Sequence, residues 1–312
     1  MNARDTLATV LVTLCLLPHW NASNPVLAGE TNPESVLATA KNNALETKHR
    51  LEYKFTDGEV IQWKVQHLGT TEATVQGNTQ TSKMRAVSTK QWEIVDVDDE
   101  GNATFVHSVL DVEMWQKVSG REEIRYNSAE DETPPPEYRN AAKTVGVPLA
   151  TVKISPSGKV LERDEKPRHI HSGLGNIAVP LPTDPVKVGQ SWKVSNKIRV
   201  SRRDGKVLRI KTRLVYTLKS VKSGVATITV RTEVVTPVND PQIEAQLVQQ
   251  LIEGELKFDV DAGRLMSRRV DWDETVVGFN GNDSLMKYLA RFTEELVATE
   301  KMANQPAEPA AR

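Results

Sequence analysis

The sequence predicts a β-dominated α+β protein: two similar, curved antiparallel sheet units in tandem, each with one helix, and a further helix near the C-terminus. Three observations predict it. Apolar and polar residues alternate with period two through most of the chain from Leu51 onward, as in "QWKVQHL" and "KQWEIVDVDDEGNATFVHSVLDVEMW", the mark of strands with one buried face. The same order of segments occurs twice. In both copies a proline-started stretch of helical composition interrupts the alternation.

The elements follow in order. "MNARDTLATVLVTLCLLPHWNASNPVLAGE" opens with Arg4, continues with a short apolar run from Leu7 to Leu17, and offers Val26, Leu27 and Ala28 before a cut ahead of Gly29. This is the pattern of a secretory signal over residues 1–28. The run is short for a bilayer span, although an uncleaved anchor is the alternative. Cys15, the single cysteine, lies inside the signal behind Leu14, where a lipoprotein signal would want a small residue. The exported chain is therefore expected to carry no disulfide. Residues 29–50 form a polar segment, with a short, partly exposed helix expected over 33–50.

The first β-rich unit is expected over 51–165 and the second over 166–300. "DGEVIQWKV" and "KVGQSWKV" share Trp-Lys-Val. "QWEIVDVDDEGNATF" matches "VYTLKSVKSGVATI", with Trp92 on Tyr216, Ile94 on Leu218, Val97 on Val221, Gly101 on Gly224, Ala103 on Ala226 and Phe105 on Ile228. Then come "PPPEYRNAAKTVG" and "DPQIEAQLVQQLIEG" as helices. "VKISPSGKVLE" and "LKFDVDAGRLMSRR" close each copy as strand, glycine turn and strand. This is the reading of a repeat. In "GNDSLMKYLARFTEELVATEKM", Leu285, Leu289, Phe292 and Leu296 recur at helical spacing behind Asn282 and Asp283, so a helix over 281–302 is expected to pack on the sheet. Residues 301–312 read as a disordered tail.

Two stretches needed a decision between structure and chemistry. "KFDVDAGRL" reads as a hairpin rather than a calcium loop. Asp259 and Asp261 share one strand face, Phe258 and Val260 the other, Gly263 supplies the turn, and Arg268 and Arg269 stand where further oxygen ligands would be needed. "KIRVSRRDGKVLRIKTR", 197–213, holds eight basic residues and one acid. A two-residue loop would mix apolar and charged residues on one face. A three-residue loop, Arg203 to Gly205, pairs Val200 with Leu208 and Ile198 with Ile210. That leaves Lys197, Arg199, Arg209, Lys211 and Arg213 on the other face. The matching stretch of the first copy is rich in Thr and Gln, so the fold does not require the charge. A solvated face that discourages strand aggregation is one reading. A surface for an anionic envelope polymer or lipid headgroups is the other.

Nothing else points to catalysis. His169 and His171 in "RHIHSGLGN" would point the same way on a strand, but no third ligand is fixed; a metal-dependent hydrolase there is an alternative reading. There is no G-x-S-x-G, no H-E-x-x-H, no phosphate loop and no thiol nucleophile. No cofactor is expected. Trp63 and Trp192 hold matching places in the two copies; they are either core or the lining of a lipophilic-ligand cavity between sheet and helix. The formal net charge of −1 gives no bulk attraction to nucleic acid, and the basic stretch lacks interleaved aromatics, so nucleic acid is not an expected partner. No transmembrane segment is expected after signal cleavage.

"TSKMRAVSTKQWEIVDVDDEGNATF", "VGVPLATVKISPSGKVLE", "KVGQSWKV" and "FDVDAGRL" together resemble a group of exported bacterial proteins of unknown function, common in planctomycete-type bacteria. The resemblance spans about residues 50–280 and rests on turns and core positions. It implies a shared fold and brings no catalytic residues. Curved antiparallel strands crossed by helices are also similar in architecture to periplasmic lipoprotein carriers of the LolA type, an analogy of fold alone. The expectation is an exported, non-catalytic binding or structural protein of the periplasm or cell envelope.

Overall fold

In the computed structural model the described residues are 47–165 and 177–301. They form one long antiparallel sheet, a two-residue strand pair and two short helices. The sequence order of the sheet is simple. Strands β2 (Glu59–Val75), β3 (Asn78–Val97) and β4 (Ala103–Val118) run as a meander. A short β5 (Ile124–Asn127) folds back on the far end of β4. A single 3₁₀ turn, Pro136–Tyr138, leads into α1 (Arg139–Ala142), and β6 (Pro148–Ile154) and β7 (Val160–Glu165) continue the meander to one sheet edge. The second half repeats this plan. Strands β9 (Ser191–Ser201), β10 (Val207–Lys222) and β11 (Val225–Val234) precede α2 (Pro241–Leu247), after which come β12 (Glu253–Asp259) and β13 (Arg264–Val277). Strand β9 is the opposite edge. Strand β14 (Ser284–Lys301) lies between β13 and β2 and joins the halves into one sheet.

The two halves agree in register as well as in order. Ile94 pairs with Phe105 and Val97 with Ala103; in the second half Leu218 pairs with Ile228 and Val221 with Ala226. The same single residue bulges out of both ladders, Val95 and Lys219. Next, Phe105 pairs with Val152 and Ile228 with Leu256, and each following hairpin carries a bulge after its Lys, Lys153 or Lys257. A bulge costs a ladder position and increases local twist, so two at matching places give both halves the same bend. The residues at these pairs, Phe105, Ala103, Val152, Ile228, Ala226 and Leu256, are all buried in one core. Between the first and second strands the register differs by two residues: Trp63 faces Lys90, whereas Trp192 faces Tyr216.

The expected hairpin turns are present. Asp259 Oδ1 accepts from the amides of Asp261 and Ala262, and Gly263 has φ 64°. "KFDVDAGRL" is thus a turn closed by its own aspartate. Gly158 and Gly263, the matching turn glycines, are both crossed by Tyr53 and Lys54. Tyr53 N–H donates to Pro156 O and Lys54 N–H to Gly263 O. A Cβ on Gly263 would lie 2.6 Å from the Lys54 nitrogen, and one on Gly158 2.8 Å from the Tyr53 ring. Only glycine lets the chain pass that closely.

Two expectations are corrected. The helix over 281–302 is strand β14 over most of its length. Met286, Tyr288 and Glu294 are buried and Leu289 is exposed, which is period two on the even residues, disguised at Ala290 and Glu294. Strands β13 and β2 present long open edges on both sides, and pairing with both outweighs a modest helical preference. At the end of the helix expected over 33–50, Lys48–His49 is strand β1, paired with β8 (Val186–Lys187). Residues 33–46 of that helix, the signal, His169, His171 and residues 302–312 of the tail lie outside the described residues, and Lys301, expected to begin the tail, ends β14.

Candidate functional site

The sheet curls so that strands far apart in its order look onto one cavity of about 320 Å³. Strand β4 contributes His107 and Val109, and β10, seven strands away in the sheet, contributes Thr212, Leu214 and Tyr216. Two connections complete the wall. The stretch after α2 supplies Gln249, Gln250 and Ile252; it is fixed because Trp272 Nε1 donates to Gln249 O (2.9 Å) and Thr232 Oγ1 to Gln250 O (2.7 Å). The stretch before β8 supplies Ile177 and Val179. It is clamped by the Tyr53 hydroxyl, which donates to Val179 O and accepts from Val179 N–H. Burial raises the pKa of that phenol, so it stays a neutral clamp.

Apolar side chains share the wall with neutral polar ones (Ser88, Asn196, Thr212, Thr232, Gln249 and Gln250), and four titratable side chains group together in it. Glu294 on β14 is 1% exposed. Its carboxylate accepts from Lys90 Nζ on β3 and forms an ion pair with Arg268 Nη2 on β13 at 2.8 Å. Lys90 also lies over the Trp63 and Trp92 rings, 4.3 and 4.9 Å from their centroids, and Arg268 over Phe292 at 4.7 Å. Cation–π contact of this kind partly replaces lost water. Burial would raise the Glu294 pKa, but Arg268 and Lys90 together hold it below the ordinary carboxylate value. Burial lowers the Lys90 pKa and Glu294 offsets part of that.

His107 on β4 is the fourth. Its Nδ1 lies 3.3 Å from Gln91 O, an acceptor, so Nδ1 carries the hydrogen and Nε2 a lone pair with no partner. Burial first, then the Lys90 and Arg163 charges, push its pKa down to about 3, so the imidazole is neutral at ordinary pH. A neutral imidazole and a fully engaged carboxylate do not form a nucleophile–base pair.

The tryptophans expected to line a cavity sit one layer behind it. Trp63 is a core residue whose Nε1 donates to Leu265 O, and Lys90 separates its ring from the cavity. Trp192 stacks on Tyr216, which does line it, and donates to Pro180 O. The tryptophan in the wall is Trp272. Sequence reasoning passed over Lys90, Arg268 and Glu294. Their signal was strand parity: Lys90 shares a face with Trp92 and Ile94, Arg268 with Val270 and Trp272, and Glu294 with Phe292 and Leu296.

The basic hairpin has the register the pattern demanded: Val200 pairs with Leu208 and Ile198 with Ile210. Arg202 and Lys206 close the loop and Gly205 has φ 79°. Ile198, Val200 and Ile210 pack with Ile243 and Leu247 of α2. On the other face Arg199 stands opposite Arg209 and Lys197 opposite Lys211, all exposed. Among the described residues none of these four makes an ion pair. Arg213 differs: it is half-buried and pairs with Glu233 at 2.5 Å.

Comparison with known proteins adds the following. Residues 166–263 match a family of unknown function, DUF6263. Among curated proteins no match is found. The chain has distant likeness to several solved structures, among them three that are each 10% identical. One is lipovitellin, described for its lipid–protein interactions, with a TM-score of 0.47 over 82% of this chain and only 27% of that one. Another is an outer membrane lipoprotein-sorting protein domain from Vibrio parahaemolyticus, TM-score 0.14, covering 87% and 93% of the two chains. The third is a DUF1329 family protein from Desulfovibrio piger, TM-score 0.13, covering 86% and 91%.

Proposed function

We propose that the protein is an exported, non-catalytic binding protein and that its ligand is lipophilic and occupies the cavity inside the curled sheet. The observation that carries this reading is the wall itself: about 320 Å³ whose lining is apolar over most of its surface, drawn from both halves, with neutral polar side chains and one charged group among them. Binding pockets for small molecules have this composition, and their volumes run from roughly 300 to 1,000 Å³. A space of this size suits one slender chain. Among the described residues no helix is long and apolar enough to cross a membrane. Titration with the neutral fluorescent probe N-phenyl-1-naphthylamine should show saturable binding at one site. Val65→Trp, which adds an indole to the cavity wall, should weaken it about tenfold or more. Non-saturating uptake, or equal affinity in the filled variant, would remove the cavity from consideration.

A second reading concerns the hairpin face. Like charges directly opposite each other on neighbouring strands are unfavourable, yet Arg199/Arg209 and Lys197/Lys211 are so placed on an edge hairpin. This supports a surface for an anionic envelope polymer or lipid headgroups. Wild type should bind dextran sulfate with an affinity that falls as salt rises. The triple reversal Arg199→Glu, Arg209→Glu, Lys211→Glu should abolish that binding; retained binding would assign the face to solubility alone.

A further inference from the structure

We infer that the cavity ligand is a single-chain amphiphile with one negative charge on its head, a carboxylate of the fatty-acid class, and that the head is received by Lys90 and Arg268. This inference rests on the cavity reading above and specifies the chemistry of its occupant.

The first observation is the charge balance. Of the residues that line the cavity, Lys90 and Arg268 are cationic and Glu294 is anionic, while His107 is neutral. Two positive charges against one negative leave a net +1, since the other lining residues, apolar or neutral polar (Ser88, Asn196, Thr212, Thr232, Gln249, Gln250), carry no charge. An unbalanced charge in such surroundings is unfavourable, and a monoanion would cancel it.

The second observation is the donor balance. An ammonium offers three N–H donors and a guanidinium five. Lys90 donates one hydrogen bond to Glu294 and Arg268 forms an ion pair with it, and no other acceptor engages either of them among the described residues. Arg268 Nε is buried without a partner. The donors therefore outnumber the local acceptors, and what is missing is an acceptor bearing charge. A cationic or purely hydrocarbon ligand would leave this imbalance in place.

The third observation is access. Glu294 is nearly sealed, with 2% of its side chain exposed, but Lys90 keeps 15% and Arg268 23%. All three line the cavity, and the two cations keep more exposed surface than the carboxylate. Beyond them the wall continues as Val65, Val230, Leu256 and Val270, a run suited to an acyl chain. The volume accommodates one chain and does not suit a two-chain phospholipid.

The test is a head-group series at constant chain length, run by isothermal titration calorimetry on the full chain at about pH 8, where a carboxylate is ionised. Dodecanoate should bind one to one and about tenfold or more tighter than dodecanol, with dodecylammonium the weakest. Arg268→Met leaves the Lys90–Glu294 pair intact and brings the local charge to zero, so the fold should persist and dodecanoate and dodecanol should bind within about threefold of each other. Equal or tighter binding of dodecanol by wild type would overturn the head-group assignment while leaving the lipophilic cavity standing. Retention of the full dodecanoate preference in Arg268→Met would also overturn it. Failure of all three ligands to bind would overturn both.

Discussion

Glu294→Leu should lower the thermal midpoint by roughly 6–20 °C. The carboxylate is the shared partner of Lys90 and Arg268 inside the protein, and removing it leaves two cations facing each other across an apolar wall. Removing one member of a buried ion pair costs about 3–5 kcal/mol, and about 1 kcal/mol moves the midpoint of a domain of this size by roughly 2–4 °C. The loss should come from the stranded charges and not from the leucine. The triple variant Lys90→Leu, Glu294→Leu, Arg268→Met should therefore recover most of the midpoint, because apolar groups of similar volume often replace a buried ion cluster without penalty. Thermal unfolding followed by circular dichroism measures both. A single-variant shift below about 2 °C would show that water reaches the cluster freely.

Acid should destabilise the protein well above the range where ordinary carboxylates titrate, and His107 should be the main cause. Its pKa is about 3 in the folded chain against roughly 6.5 when unfolded. Between these values the unfolded chain binds a proton that the folded chain refuses, so stability rises with pH. The contribution is complete above about pH 6.5 and declines steadily down to about pH 3. From pH 7 to pH 4 it amounts to roughly 3 kcal/mol. The groups facing the ring include Lys90 on β3, Arg163 on β7 and Glu294 on β14. Burial lowers the pKa of His67 as well, which adds a smaller slope of the same sign in the same window. Glu294, also depressed, adds its own loss only as pH falls through the carboxylate range. His107→Phe should flatten urea-derived stability between pH 7 and pH 4 by about one proton's worth. An unchanged slope would mean the imidazole is hydrated.

Much of the fold was legible because it is written in local pattern. Alternation located the strands, and the spacing of Ile198, Val200, Leu208 and Ile210 fixed the 197–213 hairpin to the residue, since a slip by one would have put charge into the core. The repeat was legible because residues of like character, Ile94 and Leu218, Phe105 and Ile228, recur in the same order of segments. What failed was β14. Leu285, Leu289, Phe292 and Leu296 mimic a helical stripe, and nothing in 284–301 itself tells that two unpaired edges wait on either side. The cavity was hidden for a related reason. Its polar group is drawn from β3, β4, β13 and β14 and comes together only when the sheet curls. Each member alone looks like a solvated surface charge or a core histidine. Reading strand parity for charges, and not only for apolar residues, would have flagged Lys90, Arg268 and Glu294 together.

The place of β14 has a consequence for how the molecule is made. Among the described residues it is the last strand in sequence, and it pairs along nearly its whole length with β2, the first strand of the large sheet. Until it arrives, a nascent chain holds two half-sheets with long unsatisfied borders at β2 and β13. Contacts this remote form slowly, and open borders invite pairing with another chain. Exchange of this one strand between two copies would satisfy the β2 and β13 borders without any new contact. Refolding at high concentration should accordingly yield interlocked dimers through β14, and dilution should favour the self-closed monomer.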